Sequence, residues 1–290
     1  MAETIKKNNA RKFTLLAILL GSAIVTGILV IPYYIDSKKI EIITVEPTPD
    51  RTTDNLLFSV YGNEGENYVI ENGVTIFTNP VIKLRFDLPD FYIEMMAPRD
   101  QSTLVIYPIF TANAYKDGGF YDYYRGDCDK TCLKIQLDAE HFSGKSSTVG
   151  FHVLQELGYE FTSDSHVSND PTILQKYDRI ILLHNEYVTK EMYDAIRSHP
   201  KVIYLYPNAL YAEVEFDGSF GWVELIKGHG YPDKSISNGF NFPNDNSQFE
   251  YDILCNDPFF YKVDNGWMLS CYPEEALLYN KDLLEKLQDL

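Results

Sequence analysis

Basic side chains are scarce in this chain. Its 290 residues carry 25 Lys and Arg against 42 Asp and Glu, a formal charge of −17. Nucleic acid is held by neutralising phosphates with cationic residues, so this balance argues against a nucleic-acid partner. Cysteine is equally sparse, with four residues. The one C-x-x-x-C, from Cys128 to Cys132, has no second cluster with which to build a zinc site. Several common catalytic machineries are absent: there is no G-x-S-x-G elbow, no G-x-x-x-x-G-K-[ST] phosphate loop, no H-E-x-x-H and no glycine-rich dinucleotide loop. Acidic Asp127-Cys128-Asp129 and Asn244-Asp245-Asn246 lack the spacing of a calcium loop. There is no internal repeat.

What is present begins with an uncharged run, Phe13–Ile35. Its 23 residues are long enough to cross a hydrocarbon layer of roughly 30 Å, and it exceeds the apolar core of a cleaved signal. A single-pass anchor in the cell membrane is therefore expected over residues 13–35. Lys6, Lys7, Arg11 and Lys12 precede it, which places the amino terminus inside and residues 36–290 outside. Beyond that basic tail of residues 1–12 the chain sums to −20. An extracellular domain suits disulfide formation. Of the three connectivities open to four cysteines, 128–132 with 255–271 is the first choice, because the second pair flanks a hairpin expected to turn at Asn265-Gly266.

Pro47, Pro49 and neighbouring polar residues mark 36–54 as an extended linker. Residues 55–100 read as a small β module, with a hairpin around Glu71-Asn72-Gly73. Between 101 and 215 strand and helix patterns alternate. Leu104–Phe110, Tyr159–Thr162, 179–183 and Lys201–Tyr206 read as strands, and helices are expected after Ser147 and Thr189. Such alternation predicts an α/β fold with an open, mostly parallel sheet flanked by helices. Residues 216–290 read as an aromatic-rich β extension, with strands at Trp222–Ile226, Phe249–Leu254, Phe259–Val263 and Trp267–Ser270 and a closing helix at Asp282–Leu290 packed on the α/β domain.

The organising stretch is Tyr177–Val188, Y-D-R-I-I-L-L-H-N-E-Y-V. Ile180–Leu183 is a short apolar run typical of a strand buried on both faces, and His184, Asn185, Glu186 and Tyr187 follow at its carboxyl end. Ligands of open parallel sheets bind beyond those ends. Three loops should therefore meet: the one from Tyr115 to Tyr124, the one holding His184–Tyr187, and the one holding Asn208.

T-A-N-A-Y (111–115), Y-D-Y-Y-R (121–125), L-L-H-N-E-Y (182–187) and Y-P-N-A-L-Y (206–211) resemble the catalytic domain of the N,N-dimethylformamidase large (beta) subunit, over roughly residues 103–215. The resemblance implies a class I glutamine amidotransferase-like, flavodoxin-like architecture and a mononuclear-iron amidohydrolase held by two tyrosines and a glutamate. Tyr115 and Glu186 match two of those ligands. The second tyrosine is open among Tyr121, Tyr123 and Tyr124. Two phenolates and a carboxylate are hard donors suited to ferric iron, and a metal so held would polarise an amide carbonyl and activate water. His184 would orient Glu186 or shuttle a proton, with Asn208 beside it. Two functions are thus expected as alternatives: metal-dependent hydrolysis of a C–N bond in a small amide, or non-catalytic binding of a surface partner in an envelope-organising role on the same fold.

Overall fold

The computed structural model describes residues 42–44, 56–71, 74–96, 101–138 and 145–290. The expected membrane segment 13–35, the tail before it and most of the linker 36–54 lie outside them. Among the described residues no helix is long and apolar enough to cross a membrane.

In chain order the strands are β1 (Ile42–Thr44), β2 (Phe58–Tyr61), β3 (Tyr68–Glu71), β4 (Val74–Phe77), β5 (Val81–Leu84), β6 (Thr103–Tyr107), β7 (Lys134–Gln136), β8 (Glu160–Ser163), β9 (Arg179–Leu182), β10 (Tyr187–Val188), β11 (Val202–Tyr204), β12 (Ala212–Asp217), β13 (Trp222–Lys227), β14 (Phe259–Val263) and β15 (Gly266–Leu269). The helices are α1 (Pro89–Met95), α2 (Ile109–Ala114), α3 (Phe120–Arg125), α4 (Thr148–Glu156), α5 (Asp164–Asn169), α6 (Lys190–Ser198), α7 (Ala276–Tyr279) and α8 (Lys281–Asp289).

The largest sheet has the order β1-β14-β15-β11-β9-β6-β8. From β15 to β8 every pairing is parallel, whereas β14 runs antiparallel to β15 and β1 antiparallel to β14. A second sheet, β10-β12-β13-β7, joins one parallel pairing to two antiparallel ones. β2 pairs antiparallel with β5, and β3 with β4. The expected fold class, an open and mostly parallel sheet with a transmembrane helix, is therefore corrected to mixed α/β content in sheets of mixed strand orientation. The reason is connectivity. Alternation predicts parallel neighbours only where a helix crosses over, but β14 and β15 are joined through Asp264-Asn265, and a two-residue connection reverses the chain. The carboxyl-terminal hairpin enters the main sheet beside β11 instead of packing on it as a separate extension, and Ile42–Thr44, expected in a tether, completes that edge.

The hairpin turns one residue earlier than Asn265-Gly266. Gly266 is needed within the strand, where it faces Val202 of β11 in register and where a Cβ would lie 1.7 Å from the Val202 carbonyl oxygen. Phe249–Leu254 forms no strand. A single 3-10 turn at Ser247–Phe249 is followed by turns, and Tyr251, Ile253 and Leu254 are exposed apolar side chains that mimic a strand pattern. Both cystines, Cys128–Cys132 and Cys255–Cys271, are present, which suits an oxidising compartment.

Period-two alternation distributes the main sheet's side chains to two cores. Val105, Ile181 and Ile203 face one core together with α4, α7 and α8, and Phe58 and Ile82 of the amino-terminal strands join it. Leu104, Ile106, Ile180, Leu182, Val202 and Tyr204 face the other, against Met192 and Ile196 of α6. Each fully buried aliphatic side chain contributes about 1.5–3 kcal/mol. A third cluster, holding Phe110, Phe120, Ile135, Tyr187, Val214 and Val223, packs under the second sheet.

The start of α4 departs from the expected Ser147 cap. Ser147 sits at φ 62° and its side chain does not cap the helix. Glu274 does so instead, accepting from the Val149 amide at 2.7 Å and from the Tyr206 hydroxyl at 2.6 Å. Burial pushes the Glu274 carboxyl up to about 7. Native Glu274 thus keeps its proton above the pH at which the unfolded chain loses it. Stability from this group is full below about pH 4.5 and is lost as pH rises towards 7, a loss of about 3 kcal/mol. Urea midpoints of wild type and Glu274→Gln at pH 5 and pH 8 are expected to differ accordingly, with the substitution flattening the decline. A mutant with the wild-type pH dependence would show that Glu274 is ionised in the fold.

Candidate functional site

β6 and β9 are adjacent and parallel, so the segments after them leave the same edge of the main sheet. After β6 the expected loop is helical. Tyr115 is the carboxyl-terminal cap of α2, and Tyr121 lies in the first turn of α3. Gly119, the residue before α3, makes this close succession feasible, because a Cβ there would fall 2.3 Å from the Ala114 carbonyl oxygen.

After β9 the chain turns tightly through Leu183–Glu186. Glu186 is fully buried and its backbone is pinned on both sides. Its amide donates to the Thr111 hydroxyl at 3.1 Å, and its carbonyl accepts from the amides of Tyr211 and Ala212, each at 2.9 Å. Thr111, the first residue of T-A-N-A-Y, thereby ties α2 to the Glu186 turn. After β11, Asn208 adopts a left-handed conformation, φ 63°, and its Nδ2 donates to Glu186 Oε1 at 3.0 Å.

A hydroxyl relay links the first two loops. Tyr115 donates to Tyr121 at 3.1 Å, and the Tyr121 hydroxyl lies 2.8 Å from both carboxylate oxygens of Glu186. The two phenol rings stack with centroids 4.1 Å apart and planes 9° apart. His184 is buried, with Nε2 3.9 Å from Glu186 Oε2. Its Nδ1 lies 2.7 Å from the Lys145 carbonyl oxygen, which can only accept, so Nδ1 carries the proton and Nε2 bears a lone pair. Among the described residues neither His184 Nε2 nor Asn208 Oδ1 finds a hydrogen-bond partner.

Tyr115, Tyr121, His184, Glu186 and Asn208 thus meet at one point. Tyr123 does not join them; its ring packs against Tyr124 and Tyr231. Tyr124 reaches the Gly228 carbonyl oxygen at 3.4 Å. His229 is the residue that sequence reasoning missed. Its Nε2 hydrogen-bonds Glu186 Oε1, and its ring lies among Tyr121, Tyr124, Tyr187 and Tyr211. The available signal was Gly228-His229-Gly230, a histidine between two residues that tolerate left-handed backbone.

The electrostatics separate the carboxylate from the phenols. Burial works to raise the Glu186 pKa, but His229, His184 and the Tyr121 hydroxyl outweigh it and hold the group below its usual value. Burial, reinforced by the Glu186 charge, pushes Tyr115, Tyr121 and Tyr124 well above the ordinary phenol range. Burial lowers the His184 pKa more than Glu186 raises it, so the ring is neutral near pH 7.

Among the described residues no group of three or more His, Cys, Asp or Glu is arranged to hold a metal ion. The donor set is phenolic. Oxygen ligands about 2.0–2.2 Å from an octahedral cation stand about 2.8–3.1 Å from each other. The relay has those spacings, 3.1 Å from Tyr115 to Tyr121 and 2.8 Å from Tyr121 to Glu186. These two spacings match the oxygen shell of a hard cation and equally ordinary hydrogen bonds of protonated phenols, and His184 Nε2 lies without a hydrogen-bond partner 3.9 Å from Glu186 Oε2. A cleft of about 570 Å³ lined by Lys134, Thr189, Lys190, Glu213, Glu215 and Trp222 among others includes none of these residues.

No family model and no curated protein matches this chain.

Proposed function

We propose that this protein is an extracytoplasmic, oxygen-ligated metal amidohydrolase acting on the C–N bond of a small amide. The observation that carries the reading is the relay Tyr115–Tyr121–Glu186, in which the Tyr121 hydroxyl is within hydrogen-bonding distance of both the Tyr115 hydroxyl and the sequence-distant Glu186 carboxylate, beside an unpaired histidine nitrogen. Tyr115, Tyr121 and Glu186 would hold the ion, and iron suits two phenolates and a carboxylate. A bound ferric ion supplies Lewis acidity towards the amide carbonyl.

The chain's own groups supply proton transfer and order. His184 Nε2 accepts a proton from the attacking water and returns it to the departing amine nitrogen, so the C–N bond breaks without net proton gain. The Lys145 carbonyl keeps the ring in the tautomer that this requires. Asn208 Nδ2 steadies Glu186, and the two half-buried phenols stack on each other beside it. The two cystines support an oxidising compartment, and attachment through the uncharged run 13–35 rests on its length alone.

Iron analysis and visible spectroscopy of the purified protein test this. A near-stoichiometric metal content with a phenolate-to-metal absorption band is expected. Tyr121→Phe should lose most of the band and Tyr123→Phe should keep it, because only Tyr121 reaches Glu186. A folded, colourless protein that takes up no iron would overturn the proposal and leave non-catalytic binding as the reading.

A further inference from the structure

The donors around Glu186 are unevenly shared. Oε1 takes the Asn208 amide and the His229 ring nitrogen in addition to its contact with Tyr121. Oε2 has the Tyr121 hydroxyl and, 3.9 Å away, the unpaired nitrogen of His184. The Tyr121 hydroxyl is 2.8 Å from each oxygen, so the asymmetry lies in the Asn208 and His229 donors, which both fall on Oε1.

His229 comes from outside the 103–215 stretch that carries the family resemblance, and its backbone is costly to form. Gly228, His229 and Gly230 have consecutive positive φ angles of 132°, 52° and 77°. A non-glycine residue in that region is uncommon, and strain of this kind persists only where surrounding contacts enforce it. Here they do. The His229 amide donates to the Ser237 carbonyl at 2.9 Å, and the amides of Gly228 and Tyr231 donate to the carbonyls of Tyr231 and Gly228, each at 2.9 Å. Gly228 lies so close to β12 that a Cβ would stand 2.7 Å from that of Ala212. The loop is braced against the strand whose first amide is held by the Glu186 carbonyl, so backbone and side chain of Glu186 are clamped by the same region.

We propose that His229 is a positioning residue that clamps Glu186 through Oε1, so that Oε2, free of the Asn208 and His229 donors, is the oxygen left open to a bound cation. The proposal rests on the metal-site reading for the role of Oε2, but the clamp itself exists without metal.

Two substitutions separate the donor from the ring. His229→Phe keeps an aromatic ring among the four tyrosines and removes the N–H. His229→Gln keeps an N–H and removes the ring. In crystal structures of the metal-free variants, Glu186 is expected to rotate away from Tyr121 in His229→Phe and to stay in place in His229→Gln. With iron supplied, His229→Phe should bind it about 10–100-fold more weakly than wild type, with a shifted phenolate band, and His229→Gln should stay within about threefold. Glu186 unmoved in His229→Phe, or lost from its place only in His229→Gln, would make His229 a packing residue and overturn the proposal. If wild type takes up no iron, the metal-site reading fails alone, and the metal-free structures still decide the clamp.

Discussion

Glu186→Gln is expected to reduce iron uptake by more than about 100-fold, a larger loss than the 10–100-fold typical of outlying partners of a ligand. The substitution keeps the side chain's shape but removes the negative charge that would balance a cation between two phenols. Neither phenol supplies that charge unaided, because burial and Glu186 itself hold both protonated at neutral pH. The change should also be visible without metal. Gln presents one oxygen and one NH2 to the Asn208 amide, the His229 nitrogen and the Tyr121 hydroxyl, so a buried donor loses its acceptor at about 1–3 kcal/mol. Metal titration followed at the phenolate band, paired with urea denaturation, measures both effects. Wild-type iron binding by this variant would remove Glu186 from the site.

The second large effect is structural. Gly266 stands between β14 and β11, in register with Val263 on one side and Val202 on the other. A Cβ at this position would approach the Val202 carbonyl oxygen to 1.7 Å, its carbonyl carbon to 2.7 Å and its nitrogen to 2.8 Å. These are backbone atoms, so no side-chain rotation relieves the clash. Gly266→Ala is expected to cost at least about 3 kcal/mol, at the upper end for an added methyl group. The urea midpoint should fall with little change in slope. A loss below about 1 kcal/mol would mean that β15 need not lie so tightly against β11.

Much of the main sheet was legible from short apolar runs. Ile180–Leu183 announced a strand buried on both faces, and Met192 and Ile196 after the Thr189 cap announced α6. Such features were readable because they depend on neighbours within one or two turns. Strand direction at the sheet's edge was not readable, because parallel or antiparallel pairing of β14, β15 and β1 depends on partners distant in sequence. The exposed Tyr251, Ile253 and Leu254 show the same limit, since apolar identity alone does not reveal what covers a side chain. At the site, Tyr115, Glu186, His184 and Asn208 could be nominated from the segments that follow strands, yet nothing local distinguished Tyr121 from Tyr123.

The sequence by itself determined which residue types were available: tyrosines after the first strand of the α/β part, a histidine and a carboxylate after a later one, and cysteines spaced for two bridges. Only the tertiary structure decided which of them touch. The helical turn of α3 sends Tyr121 to Glu186 and Tyr123 to Tyr231, and the loop after β13 brings in His229 from more than forty positions away. Hydrogen bonds act over about 3 Å, and distances of that order between remote segments follow from the packing of strands and helices.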